Sequence, residues 1–281
     1  MQYQSPLLRM AEAQDAHLNL LQTHLLGEST REPARASFAF GMHKGGSTML
    51  HTFLAIATAR SNVRAMSASN ILFRAGVSDT AYSHNANLLP LFLQHRAAYI
   101  GFRFIPMFML RNKGAFLNHR AVVLIRDPRD CVVSAYFSFL KSHVVSANLA
   151  SDSAQAIQIE RARYQGTGID EYCLNEMGRF VREINGYLYF ANENTRLFRY
   201  EDIIFSKRSF FASVVEHLEL HITADAFDEA LLSVDVIPEK ERVDAHVRNV
   251  TPGDHRLKLQ AATIEELTQR YSDTLELCGY A

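Results

Sequence analysis

Several things are scarce in this 281-residue sequence, and each scarcity excludes something. Cysteine is one: the three present, Cys131, Cys173 and Cys278, are widely scattered. They form no metal-ligand spacing and no disulfide framework, so no bound metal is expected and a reducing compartment fits. A surplus of one charge is also missing, since 29 Lys+Arg stand against 30 Asp+Glu for a formal net charge of -1. A protein that grips nucleic acid along many phosphates needs a basic excess, so no nucleic-acid partner is expected; one basic pocket for one small polyanion remains compatible. Long apolar runs are missing too. The most apolar window, Ala97 to Leu110, is interrupted by Arg103 and Pro106 and is too short to span a bilayer. The N-terminus shows no basic stretch followed by an apolar run, so a signal peptide is not expected. These readings together predict a cytoplasmic protein without membrane insertion. No internal repeat or low-complexity segment interrupts the chain.

What is present is a core-forming composition: 48% of the residues are hydrophobic, enough for one large α/β domain or two small ones. The reading is a single domain over 1–281, with an N-terminal helix and polar linker in 1–35 and a core in 37–281. Apolar residues at helical spacing (Leu8, Ala11, Leu18, Leu21, Leu25) predict a helix over 5–26, with Gly27 as its stop. Its apolar face is expected to pack on the core; pairing with a second copy, as a homodimer, is the alternative.

The chain is organised around residues 37–54. Ser37 to Met42 reads as a short buried strand, and Leu50, Phe53, Leu54 and Ala57 mark an apolar-periodic helix. Between them, Gly45 and Gly46 allow a sharp turn and bring backbone N–H groups close to a ligand. Ser47 and Thr48 add hydroxyls and Lys44 a full positive charge. A strand, a glycine turn and a helix N-terminus together form a phosphate cradle, because the dipole and the unpaired N–H groups favour an anion. A Walker loop has its lysine after the glycines; here Lys44 precedes them. A glycine turn that merely joins strand to helix is the plainer alternative.

Further strands are expected at 62–68, 99–104, 121–125 and 196–200. Helices are expected at 88–98, 169–189, 209–220, 227–232 and 263–277, with Gly279 as the last C-cap. Residues 69–87 read as loop with short helices carrying Arg74, Asp79 and His84, and 142–168 as a partly helical lid. The clearest strand, Ala121 to Ile125, runs into Arg126-Asp127-Pro128-Arg129-Asp130. Asp127 suits an N-cap and Pro128 a first helical residue. This second strand-to-helix junction presents Arg126 at the strand end and Ser134 in the following helix. Open parallel sheets bind ligands at the carboxyl ends of their strands.

At this point the sequence resembles the sulfotransferases that use 3′-phosphoadenosine-5′-phosphosulfate (PAPS). Lys44-Gly45-Gly46-Ser47-Thr48 is similar to their 5′-phosphosulfate loop. Arg126 to Tyr136, with Ser134 eight residues after the arginine, is similar to their 3′-phosphate element. Phe198 to Ile203 resembles the next shared element, whose tyrosine, here Tyr200, lies near the adenine; Ser233 matches a further residue there. His246 to Arg256 resembles the late loop that closes over the nucleotide. Arg248 stands at its arginine and Gly253-Asp254 at its later pair, while Asn249, Val250 and His255 replace the lysine, the first glycine and the tryptophan.

The resemblance implies an α/β fold with a central parallel sheet flanked by helices, like that of P-loop NTPases. It implies transfer of a sulfuryl group from PAPS to a hydroxyl or amine of a small acceptor, with adenosine 3′,5′-bisphosphate (PAP) as product and no metal. Lys44 would act at the bridging oxygen; Gly45, Gly46, Ser47 and Thr48 would hold the 5′-phosphate; Arg126, Ser134 and Arg248 would hold the 3′-phosphate. Cytosolic relatives carry their basic histidine where this chain reads Gly101-Phe102-Arg103-Phe104-Ile105-Pro106, and an arginine is no base at neutral pH. His43 becomes the first candidate for the base, followed by Asp79 and His84; His51 is expected to pack along its own helix. Phe102, Phe104, Phe108 and Tyr82 line either an apolar acceptor pocket or the core. A P-loop kinase and a non-catalytic nucleotide binder are the alternatives.

Overall fold

Five short strands line up in parallel in the order β2-β3-β1-β4-β5 in the computed structural model of the chain. It describes residues 14–22, 36–138 apart from 60, 62, 64, 95 and 96, 158–238 apart from 160, and 249–281. The strands are β1 (Ser37–Gly41), β2 (Ala65–Ser67), β3 (Ala98–Phe102), β4 (Arg120–Ile125) and β5 (Thr195–Arg199). Both neighbours of β1, β3 and β4, come later in the chain, so the connections leave the central strand toward opposite edges. That makes a switch point at the carboxyl end of β1, where loops diverge and a crevice opens.

The core has two layers because side chains alternate along each strand. Phe38 and Phe40 of β1, with Val123 and Ile125 of β4, belong to one apolar cluster. The long helix Ile169–Phe190 covers it with Phe180, Ile184, Tyr187 and Phe190. Ala39, Val122 and Leu124 face the other way, toward Leu50, Phe53 and Leu54 of the helix Ser47–Thr58. There Phe53 stacks on Phe211 with ring centroids 3.8 Å apart, and Phe227 meets Phe53 edge-on. Burial of the sheet on both faces explains why β1 and β4 read as continuous apolar runs.

The expected elements are displaced in places. β2 is only three residues long, and its expected end is already the helix Ala68–Arg74. β3 starts at Ala98 and stops at Phe102, before Arg103. Tyr200 opens the helix Tyr200–Ile203 instead of closing β5. The final helix is two, Ala261–Arg270 and Ser272–Leu277, interrupted at Tyr271. Phe102, Phe108 and Tyr82 are buried core residues and Phe104 packs against them, so these rings build the core. Of the N-terminal helix, 14–22 is described, with Leu21 fully buried in the core. Most of the expected lid, 142–168, lies outside the described residues, as does Arg248. Among the described residues, no helix is long and apolar enough to cross a membrane.

Candidate active site

The loop after β1 is shaped by local sterics. Gly46 caps the helix Ser47–Thr58 at φ 91°, a left-handed conformation that glycine adopts without strain. A Cβ there would lie 3.0 Å from the Tyr200 ring, and one on Gly45 would lie 2.4 Å from Met42 Cγ. Lys44 is itself left-handed at φ 59°, an uncommon state for a residue with a Cβ. The helix has no side-chain cap, and its first backbone bond runs from Leu50 N–H to the Gly46 carbonyl. The N–H groups of Ser47, Thr48 and Met49 therefore head the helix without intrahelical acceptors, an arrangement that suits an anion. Ser47 is buried and Thr48 exposed.

Arg126 enters this site from the end of β4. It is buried, and its guanidinium lies over the Tyr200 ring, 4.5 Å from the centroid. Nη1 donates to the Lys44 carbonyl at 3.4 Å and Nη2 to Asp130 Oδ2 at 3.4 Å, while Nε has no partner. Burial disfavours its charge, but the fields of Tyr200, Asp130 and nearby groups more than offset this and raise its pKa. A buried cation with long bonds and an orphaned N–H is fitted to receive an anion.

Two further segments complete the site. Tyr200 donates its hydroxyl to the Val250 carbonyl at 3.1 Å, anchoring the late loop. Asp130 takes the N–H groups of Gly253 and His255. Burial opposes its charge, but the hydrogen bond from the His255 ring, the charge of Arg126 and the His255 backbone N–H outweigh burial and hold the Asp130 carboxyl below the usual carboxylate range. The end of β4 is braced by Glu201, which accepts from Asp127 N–H at 3.0 Å and from the Tyr280 hydroxyl at 2.9 Å. Ser134 is half-buried in the helix Pro128–Phe137, two turns beyond Asp127. Ser233 is exposed on the helix Ala224–Val234, its hydroxyl turned back to the Ala230 carbonyl at 2.6 Å.

On the other side of Lys44, His43 is clamped by Glu183 of the long helix Ile169–Phe190. Glu183 Oε2 accepts His43 N–H at 3.0 Å and Oε1 lies 2.6 Å from Nδ1. One turn later, Tyr187 donates to the Arg103 carbonyl at 2.7 Å. Asp79 is close enough to feel His43, Arg103 and Glu183. Burial raises the Asp79 pKa; His43 and Arg103 pull it down and Glu183 pushes it up. His51 is buried in its helix, where burial first and Arg103 second push its pKa down to about 3.

Glu183, Asp130 and Glu201 were not singled out by the sequence reading. One signal was available for Glu183. It falls on the helix face with the buried Phe180 and Tyr187, three and four residues away, where a carboxylate needs a partner.

The sulfotransferase domain family matches residues 35–279, and the chain belongs to that family. Two solved structures are similar to the chain, and the first shows the shared fold. One is mouse sulfotransferase SULT7A1 complexed with PAP: 12% identical, TM-score 0.53, covering 91% of this chain and 89% of the other. The second is the sulfotransferase domain from the curacin biosynthetic pathway: 13% identical, TM-score 0.41, covering 90% and 99%. No curated protein matches the sequence.

Proposed function

We propose that the chain transfers a sulfuryl group from PAPS to a hydroxyl or amine of a small acceptor and releases PAP. The observation that carries this reading is Arg126: a buried guanidinium with a free Nε–H, bonded to the carbonyl of Lys44 in the glycine loop. This puts a cation suited to one phosphate beside a helix N-terminus suited to another. A nucleotide with phosphates on both its 3′ and 5′ positions answers to that pairing; ATP presents only one of them.

PAPS, when bound, supplies the activated sulfuryl group. The chain's own residues then divide the work. Gly45, Gly46, Ser47 and Thr48 hold the 5′-phosphate through the N-terminal N–H groups of the helix. Lys44 neutralises charge that develops on the leaving oxygen, where preorganised positive charge lowers the barrier most. Arg126 and Ser134 hold the 3′-phosphate, with Arg248 as a further ligand on sequence grounds and Tyr200 and Ser233 toward the base. His43 takes the acceptor's proton: with its Nδ1–H donated to Glu183, the other ring nitrogen, Nε2, presents a lone pair.

Calorimetric titration with PAP, and with ATP plus Mg²⁺ in parallel, tests the reading. Micromolar binding of PAP with little binding of ATP is the expected result. The reverse preference moves the chain to the kinases, and binding of neither removes the nucleotide site.

A further inference from the structure

Asp130 and His255 are buried against each other, at 1% and 2% exposure, beside Arg126. Among the described residues, the Asp130 carboxylate receives four donors. Oδ1 accepts the His255 backbone N–H at 3.0 Å and its ring Nδ1–H at 2.6 Å. Oδ2 accepts the Gly253 N–H at 2.7 Å and Arg126 Nη2 at 3.4 Å. A carboxylate offers about four lone-pair sites, so this one is saturated. Its three short bonds all go to the segment 253–255, and the long one goes to the arginine.

That inverts the usual order of preference. A buried arginine and aspartate in contact frequently form two parallel bonds of about 2.7–2.9 Å. Such a fork would consume the N–H groups an incoming anion needs. Here no such fork forms, and the Arg126 guanidinium lies over the Tyr200 ring, a contact that uses none of its donors. Tyr200 also reaches the same loop through Val250. The loop is thus tied at both ends to the two side chains that flank Arg126.

We infer that His255, acting through Asp130, is a positioning residue for nucleotide specificity: by drawing the Asp130 carboxylate onto the 253–255 turn it keeps Arg126 available to a 3′-phosphate. The inference rests on the reading of Arg126 as the 3′-phosphate ligand. Without the His255 ring donor, Asp130 has a vacant lone pair and rotates toward the guanidinium. The site then keeps its 5′-phosphate cradle and loses its preference for a 3′-phosphate.

The test compares PAP with 5′-AMP, which differ only in that phosphate, by calorimetry on the full chain. His255→Phe is expected to lower the PAP-to-AMP affinity ratio at least tenfold, with AMP affinity within threefold of the parent. His255→Asn, which retains a donor, is expected to hold the ratio within threefold. Adding Asp130→Ala to His255→Phe is expected to restore part of the ratio, because no carboxylate remains to fork onto Arg126. An unchanged ratio in His255→Phe, an equal loss in His255→Asn, or equal weakening of both ligands overturns the inference. His255→Leu replaces His255→Phe if the larger ring is not accommodated. Failure of both apolar variants to fold also overturns it, since His255 then supports the fold and not the specificity. A parent chain that does not distinguish PAP from AMP removes the Arg126 reading itself. Failure of the present inference looks different: the parent distinguishes the two ligands and the variants do so equally.

Discussion

Arg126 and Lys44 approach the same space from different strands, and substitutions should separate their roles. Arg126→Ala removes charge-assisted hydrogen bonds of about 1.5–3 kcal/mol. It is expected to weaken PAP binding roughly tenfold to a hundredfold in calorimetry while leaving ATP binding little changed; equal weakening of both would sink the 3′-phosphate assignment. Lys44→Ala acts on charge that develops during transfer. A drop of about 10²–10³ in kcat with a much smaller change in PAP affinity is expected, by analogy with the loss of one preorganised donor. The positions of the glycines, Lys44 and Arg126 at strand-to-helix junctions were legible in the sequence, because strand periodicity, glycine placement and caps mark such junctions. Glu183 was not, because its meaning lies in a partner 140 residues away.

The elements behave as holders for these groups. The loop from Met42 to Ser47 depends on a left-handed Gly46 packed against the Tyr200 ring. Gly46→Ala forces a Cβ into both constraints and should destabilise the chain by about 1–3 kcal/mol, read as a lowered denaturation midpoint together with weaker PAP binding. The long helix Ile169–Phe190 reaches the site through Glu183 and Tyr187, which pin the loops after β1 and β3. Once an acceptor is in hand, Glu183→Gln should lower kcat about tenfold or more, and His43→Ala with Glu183→Gln should be no worse than His43→Ala alone. Additive losses would show that the two residues do not act as a unit. Strand periodicity located β1 and β4 well because they are buried on both faces. It missed the ends of β2, β3 and β5, where packing and ring contacts override local preference.

Across the whole molecule, the buried groups set how stability responds to acid. His51 titrates near 6.5 when exposed and is pushed down to about 3 by burial. Between those values the unfolded chain binds a proton that the folded chain refuses, so stability falls as the pH falls, by up to about 1.4 kcal/mol per unit. Asp130, with its depressed pKa, adds a loss of the same sense below the normal carboxylate value of 3.8. Asp79 and Glu201 are raised by burial and oppose it in the carboxylate range. The His51 contribution sets in below about pH 6.5, where His17, also lowered by burial, adds to it; His51→Leu should flatten the dependence of Tm on pH there. An unchanged slope would contradict the burial of His51.

The sequence alone determined the α/β alternation, the two strand-to-helix junctions and, by resemblance, the family. All of these rest on short-range patterns: periodicity, glycine placement, caps and residue order. Only the tertiary structure decided which distant groups meet. It joined His43 to Glu183, set Tyr200 beneath Arg126, and gave the Asp130 carboxylate to His255 in preference to the adjacent arginine. Such pairings are chosen by the packing of elements far apart in the chain, where a buried polar atom must take whatever partner the fold brings within reach.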